Sequence, residues 1–135
     1  MGVINLARAI RQKESSGGKN QTSKLAKEEG SFGGMQYTAP TFNEQAKLLG
    51  GKDLNGNPLD INNNDHQNLV FYTWAKRLKD AGYGVDQIAA AHNAGEGKLT
   101  SWQNHRGVNR FGNKYDTPAY VNEVLGYYRA LKGEA

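Results

Sequence analysis

Glu14 is the residue whose type and position in this chain could carry proton chemistry. Val3, Leu6, Ala7 and Ile10 recur at helical spacing and define one apolar stripe along the first segment. Glu14 comes four residues after Ile10, so its carboxyl continues that stripe, while Arg8, Arg11 and Lys13 fall around the other sides. The run Ser15, Ser16, Gly17, Gly18 then marks a helix C-terminus. Partial desolvation and the negative end of the helix dipole would both favour the protonated carboxyl there. A carboxyl that holds its proton near neutral pH can act as a general acid. The plainer alternative is a last-turn glutamate swung out into water, and the helix alone allows both. Other chemistries find less support. Without cysteine there is neither a thiolate nucleophile nor a disulfide, and no serine elbow can be assembled. His66, His92 and His105 lack the paired spacing of metal ligands, which leaves them hydrogen-bonding or surface roles. Neither a metal nor a cofactor is expected.

The elements that must position Glu14 are mostly helical. After the first helix, residues Lys19 to Gly34 read as a polar loop. It ends in Phe32-Gly33-Gly34-Met35-Gln36-Tyr37, a turn that something must approach closely, leading into a small β element around Met35 to Thr38. Thr41 to Leu49, following Pro40, reads as a short helix stopped by Gly50 and Gly51. Lys52 to Asn64 is dense in turn formers. It is not a calcium loop, because neither Asp53 nor Asp60 begins a stretch with the glycine and glutamate that such a loop requires. Its asparagines serve instead to cap the next helix. That helix, Asp65 to Asp80, carries Val70, Trp74 and Leu78 on one stripe with Phe71 and Ala75 beside them, and is the expected central core helix. Val85 to Asn93 is a helix kept slim by Ala89, Ala90 and Ala91 and broken by Gly95 and Gly97. The glycine spacing fits no phosphate-binding loop. Asn104 to Asp116 reads as a polar, basic loop through His105, Arg106, Arg110 and Lys114. Thr117 then caps, and Pro118 opens, a last helix with Val121, Val124, Leu125 and Tyr128 on its apolar face.

The 135 residues are expected to form one domain, 1–135, that loses roughly two-thirds of its unfolded surface on folding. A hydrophobic fraction of 37% suits a globular fold, while seventeen glycines and a negative mean hydropathy point to a small core with many turns. The formal charge of +4 favours an anionic partner but is too scattered to form the concentrated basic face of a nucleic-acid binder. Arg8 and Arg11 sit inside the amphipathic start, so Met1 to Gln12 reads as neither a signal peptide nor a membrane span. Export would then need another route.

Taken in order, Glu14-Ser15, Gly33-Gly34-Met35-Gln36, Ala91-His92-Asn93-Ala94-Gly95 and Ala119-Tyr120-Val121 resemble four motifs of the soluble lytic transglycosylase and goose-type lysozyme family. That family reads approximately Glu-Ser, Gly-Leu-Met-Gln, Ala-Tyr-Asn-Ala-Gly and a late Tyr-Val. Each motif is weak alone, but four in order across about Ile4 to Leu131 are specific. The resemblance implies a mainly α, lysozyme-like domain (α+β) with a small β element near the cleft. It implies cleavage of the bond between N-acetylmuramic acid and N-acetylglucosamine in peptidoglycan glycan strands. Glu14 would be the catalytic acid and base, and Tyr120 would hold its carboxyl in orientation. Gln36, Asn93, His92 and Met35 would line or underlie the glycan cleft, with Ser15 beside the acid. A monomer acting on the bacterial cell wall is expected, with no membrane insertion. Such a protein could be an endolysin released by phage lysis, a virion component, or one domain of a longer protein.

A glycosidase usually pairs its acid with a second carboxylate, but a lytic transglycosylase needs one alone, because the muramic C6 hydroxyl attacks and forms a 1,6-anhydro ring. Where goose-type lysozymes carry an acid upstream of the turn this chain has Lys27, and at their other acidic position it has Thr38, which favours transglycosylation. A one-residue slip would bring in Glu28, and Glu29 is next to it, so a hydrolytic muramidase is the nearest rival. A silent glycan-binding or virion structural module is the alternative from another class. Two further departures stand out. Gly34 replaces the usual leucine, and His92 replaces a tyrosine, where a protonated imidazole would oppose a raised carboxyl pKa on Glu14.

Overall fold

The computed structural model describes residues 2–15, 31–32 and 34–132. Among these the chain is mainly helical, with five α-helices and two small antiparallel hairpins. Helix α1 (Gly2–Ser15) buries Leu6, Ala7, Ala9 and Ile10 as its spacing dictates. Strand β1 (Ser31–Phe32) pairs with β2 (Tyr37–Thr38), Ser31 facing Thr38 and Phe32 facing Tyr37. The expected loop of residues 19–34 therefore ends in a strand, because Tyr37 is drawn fully into the core beside it.

Helix α2 (Ala39–Ala46) starts at Ala39, with Pro40 in its first turn where no N–H is needed. A 3-10 turn (Lys47–Leu49) extends it, and Gly50 at φ 67° closes it. The segment before α3 (Asn64–Asp80) is tied by one carboxylate and one imidazole. Asp53 Oδ1 accepts the N–H groups of Asn57 and Asn55, at 2.8 and 2.9 Å, and its Oδ2 accepts from His66 Nε2 at 3.1 Å. His66 Nδ1 accepts the Asp60 N–H at 2.9 Å, which fixes the imidazole proton on Nε2. Asn63 Oδ1 then caps α3 through the N–H groups of Asp65 and His66.

Helix α4 (Val85–Ala94) opens with the Gly84 N–H donating to Gln87 Oε1 at 2.9 Å and ends at Gly95, whose φ of 95° only glycine holds without strain. The expected loop of residues 104–116 is instead a 3-10 turn (Trp102–Asn104) followed by a hairpin of β3 (Arg106–Val108) and β4 (Lys114–Asp116). Asn109 makes the turn, its Oδ1 accepting from the N–H of Phe111 and of Asn113. Helix α5 (Thr117–Leu131) is capped by Asp116, which accepts the Ala119 N–H at 3.1 Å. Thr117, expected to cap, is fully buried and spends its hydroxyl elsewhere.

Helix α1 packs most extensively on α5, and α4 packs on α5 as well, while α3 touches α1, α2 and α4. Leu6 and Ile10, both fully buried, contribute about 1.5–3 kcal/mol each to holding α1 in place. The Lys13–Glu123 ion pair between α1 and α5, at 3.1 Å with Glu123 half exposed, adds at most about 1 kcal/mol. Apolar burial therefore sets the seat of α1, and with it the position of Glu14. Among the described residues no helix is long and apolar enough to cross a membrane.

Replacing Asn63 with Ala strips the cap from α3 and should lower unfolding stability by about 1 kcal/mol, read as the urea midpoint at constant m-value. An unchanged midpoint would mean that water satisfies those N–H groups equally well.

Candidate functional site

Glu14 reaches the site from the last turn of α1, with its side chain 20% exposed. It is neither swung fully into water nor sealed in the core, so it keeps a route to solvent while its neighbours are dry. Those neighbours come from α4, α5 and the turn between β1 and β2.

On α4, His92 lies four residues after the buried Ile88, so the helical period turns it inward. Its side chain is 2% exposed. The imidazole stands edge-on to Tyr37 at 5.1 Å and to Phe71 at 5.4 Å between ring centroids, with Trp74 at 6.4 Å. Burial among these rings pulls its pKa down to about 4, and the Met35 carbonyl offsets only part of that. The imidazole is neutral at neutral pH. Its Nε2–H donates to the Met35 carbonyl at 2.8 Å, while Nδ1 is buried without a partner. The 4.0 Å separation between His92 Nε2 and Glu14 Oε2 is therefore no ion pair. The charge conflict expected at this position does not arise, because the ring that replaces the tyrosine is too desolvated to ionise.

On α5, Thr117, Tyr120, Val121, Val124 and Tyr128 form the buried stripe, which carries the Tyr120 phenol to Glu14. Burial first, and then the charge and hydrogen bonding of Glu14, push the Tyr120 pKa well above its ordinary value. The contact falls short of full hydrogen-bond geometry, so the hydroxyl is a protonated donor facing a carboxyl and not yet spent. A buried polar atom left in this state costs about 1–3 kcal/mol, and His92 Nδ1 is a second one close by. Such costs concentrate at functional sites.

The turn at Met35 and Gln36 is held from beneath by α3. Asn64 Oδ1 accepts the Gly34 N–H at 2.9 Å, and Gln67 Oε1 accepts the Met35 N–H at 3.1 Å. Gln67, fully buried, also donates to the Ile61 carbonyl at 2.6 Å. Gln36 adopts φ 52°, a left-handed conformation unusual for a residue with a side chain. The glycines before it suggested a tight turn, but the positive φ that the structure displays falls on Gln36. Asn93, exposed at the end of α4, accepts the Thr117 hydroxyl at 2.8 Å through Oδ1. Its amide nitrogen has no partner among the described residues, which leaves two donors available to a ligand.

Glu14, Tyr120 and His92 are thus brought together, with Met35 joined to them through its carbonyl. Met35, expected to underlie the cleft, and His92, expected to line it, are both buried, so neither presents its side chain to solvent. Ser15 lies at the end of α1, and its side chain is outside what is described; Glu28 and Glu29 lie outside the described residues altogether. The contributions of Asn64, Gln67, Tyr37 and Thr117 were not anticipated. Gln67 had a signal, since it continues the Val70, Phe71 and Trp74 stripe as Glu14 continues its own. The arrangement suits proton exchange between one carboxyl and a ligand, with a phenol to steady whichever form the carboxyl takes. No protein-family model, no curated protein and no solved structure matches the chain.

The depressed His92 pKa has a consequence for acid stability. The unfolded imidazole binds a proton below about pH 6.5, whereas the folded one resists protonation until about pH 4. Stability should therefore fall between those values by about 3 kcal/mol and lose nothing further from this group below pH 4. Urea midpoints measured across that range should fall more steeply for the parent chain than for His92→Gln, which can still donate to Met35. Parallel slopes would show that the imidazole does not stay neutral in the fold.

Proposed function

We propose that the chain is a peptidoglycan lytic transglycosylase with a lysozyme-like fold, in which Glu14 acts first as general acid and then as general base. The observation that carries this reading is the meeting of a part-exposed Glu14 carboxyl with the buried Tyr120 phenol and a neutral His92. Those three residues come from three of the four motifs that resemble the family. The helical architecture with a small hairpin beside the site agrees with the reading.

In the proposed reaction the glycan lies over Gln36 and Asn93, and the Asn93 amide donors would hold it. Glu14 gives its proton to the oxygen that links muramic acid C1 to the next sugar, and the C1–O bond breaks. The muramic C6 hydroxyl attacks C1 as Glu14, now a carboxylate, takes the hydroxyl proton. One bond breaks, one forms, and the acid is restored without water. Tyr120 would donate to the carboxylate between the two steps. The Thr38 hydroxyl, in the position where goose-type lysozymes have an acid, is engaged with the Thr41 hydroxyl at 3.1 Å and offers no base for water.

Purified peptidoglycan should be digested to fragments ending in 1,6-anhydromuramic acid, identified by mass spectrometry as one water lighter than reducing ends. Glu14→Gln should lower turnover on the order of 10³-fold or more with folding intact. Tyr120→Phe, losing one hydrogen bond, should cost about tenfold. Reducing ends would make the protein a hydrolase and direct attention to Glu28 and Glu29. A folded protein that pellets with the wall yet releases nothing would be a binding module.

A further inference from the structure

A groove of about 650 Å³ opens between α2, α3 and the end of α4, and neither Glu14, His92 nor Tyr120 lines it. Its size is that of a small-molecule or peptide site, typically about 300–1,000 Å³. The charges along it are not mutually satisfied. Glu44 and Lys47 pair with each other at 3.1 Å and leave no net charge. Arg77, from α3, also lines the groove and makes no ion pair among the described residues. Glu96, just past Gly95, has its carboxylate aimed by the Trp74 indole, whose Nε1–H donates to Oε1 at 2.6 Å. That bond orients the carboxylate without neutralising it.

The groove therefore offers one guanidinium and one fixed carboxylate, carried on separate elements and not joined to each other, with the half-exposed Leu48 as apolar wall. Arg77 and Glu96 are both exposed, so a ligand bearing a single charge would answer one of them and leave the other to water. A neutral sugar would leave both to water. A ligand with a carboxylate for Arg77 and an ammonium for Glu96 satisfies the pair, the first by the two-pronged geometry that guanidinium gives carboxylates.

We infer that this groove binds a short zwitterionic peptide, one that carries a free carboxylate and a free amine. The peptide stems borne by peptidoglycan strands have this chemistry; that link rests on the proposed function, whereas the ligand class rests on the groove alone. In such a polymer the stem would be held at one place while the glycan is cut at another.

The test is a titration of the isotopically labelled full chain with the tripeptide L-alanyl-γ-D-glutamyl-L-lysine, followed by amide NMR shifts. Saturable shifts are expected around Gly95, Glu96 and α2, with dissociation in the millimolar range or tighter. Arg77→Gln and Glu96→Gln should each weaken binding about tenfold, and the second keeps an oxygen for the Trp74 indole, so the fold has no reason to change. The same peptide acetylated and amidated at its charged groups should not bind. Equal binding of the blocked peptide, indifference to both substitutions, or no shift at about 10 mM peptide would overturn the proposal. Glu14→Gln should bind as the parent does, so a failure of wall cleavage and a failure of this groove are read separately.

Discussion

A neutral imidazole enclosed by aromatic rings has one strong hydrogen bond to give, and His92 gives it to the Met35 carbonyl at 2.8 Å. That bond joins the middle of the chain to the turn that precedes α2. Because the ring is held edge-on by Tyr37 and Phe71, it cannot move without disturbing the core, and the carbonyl it meets is fixed in turn. Glu14 lies 4.0 Å from the same nitrogen. The carboxyl is thereby placed against a surface that is polar but uncharged, an environment in which changing its own protonation provokes no competing titration.

The support beneath this contact is also polar. Gln67 satisfies the Met35 N–H and the Ile61 carbonyl together, and Asn64 takes the Gly34 N–H, so the turn is pinned on two of its donors and, through His92, on an acceptor. A buried amide that meets both its partners stabilises modestly but fixes geometry strongly, since each alternative arrangement leaves a polar atom unanswered. The strain of Gln36 at φ 52° persists because the residues on either side of it are held in this way. The Tyr120 phenol, by contrast, is buried without a full hydrogen-bond partner where it faces Glu14.

The helices were legible because each buries one stripe, and polar residues standing on those stripes pointed at the site. Glu14 was found by continuing the period of Val3, Leu6 and Ile10, and the same rule would have picked out Gln67 and His92 as inward-facing. His92 misled because an imidazole near a carboxyl suggests charge, and its neutrality depends on three aromatic neighbours distant in sequence. The hairpin of Arg106–Val108 and Lys114–Asp116 was not legible at all. Its residues are exposed or half-exposed on both faces, so no alternation of apolar and polar residues could report it. Only Asn109 and the glycine before Asn113 hinted at a turn. Thr117 was misread for a related reason: a threonine before a proline caps in most contexts, yet here burial diverts its hydroxyl to Asn93 and leaves Asp116 to cap.

The bond from His92 to Met35 spans 57 residues of sequence, and Glu14 and Tyr120 lie still further apart along the chain. Closing a loop of that length costs about 4 kcal/mol of chain entropy beyond a constant, and no local contact within the site repays it in advance. These long closures within the site make its assembly a late event, dependent on α1, α4 and α5 having already docked. A chain that is still emerging, or only partly folded, carries Glu14 as an ordinary carboxylate in water. Competence for chemistry thus arrives all at once with the tertiary fold, and it is lost all at once when the helices part.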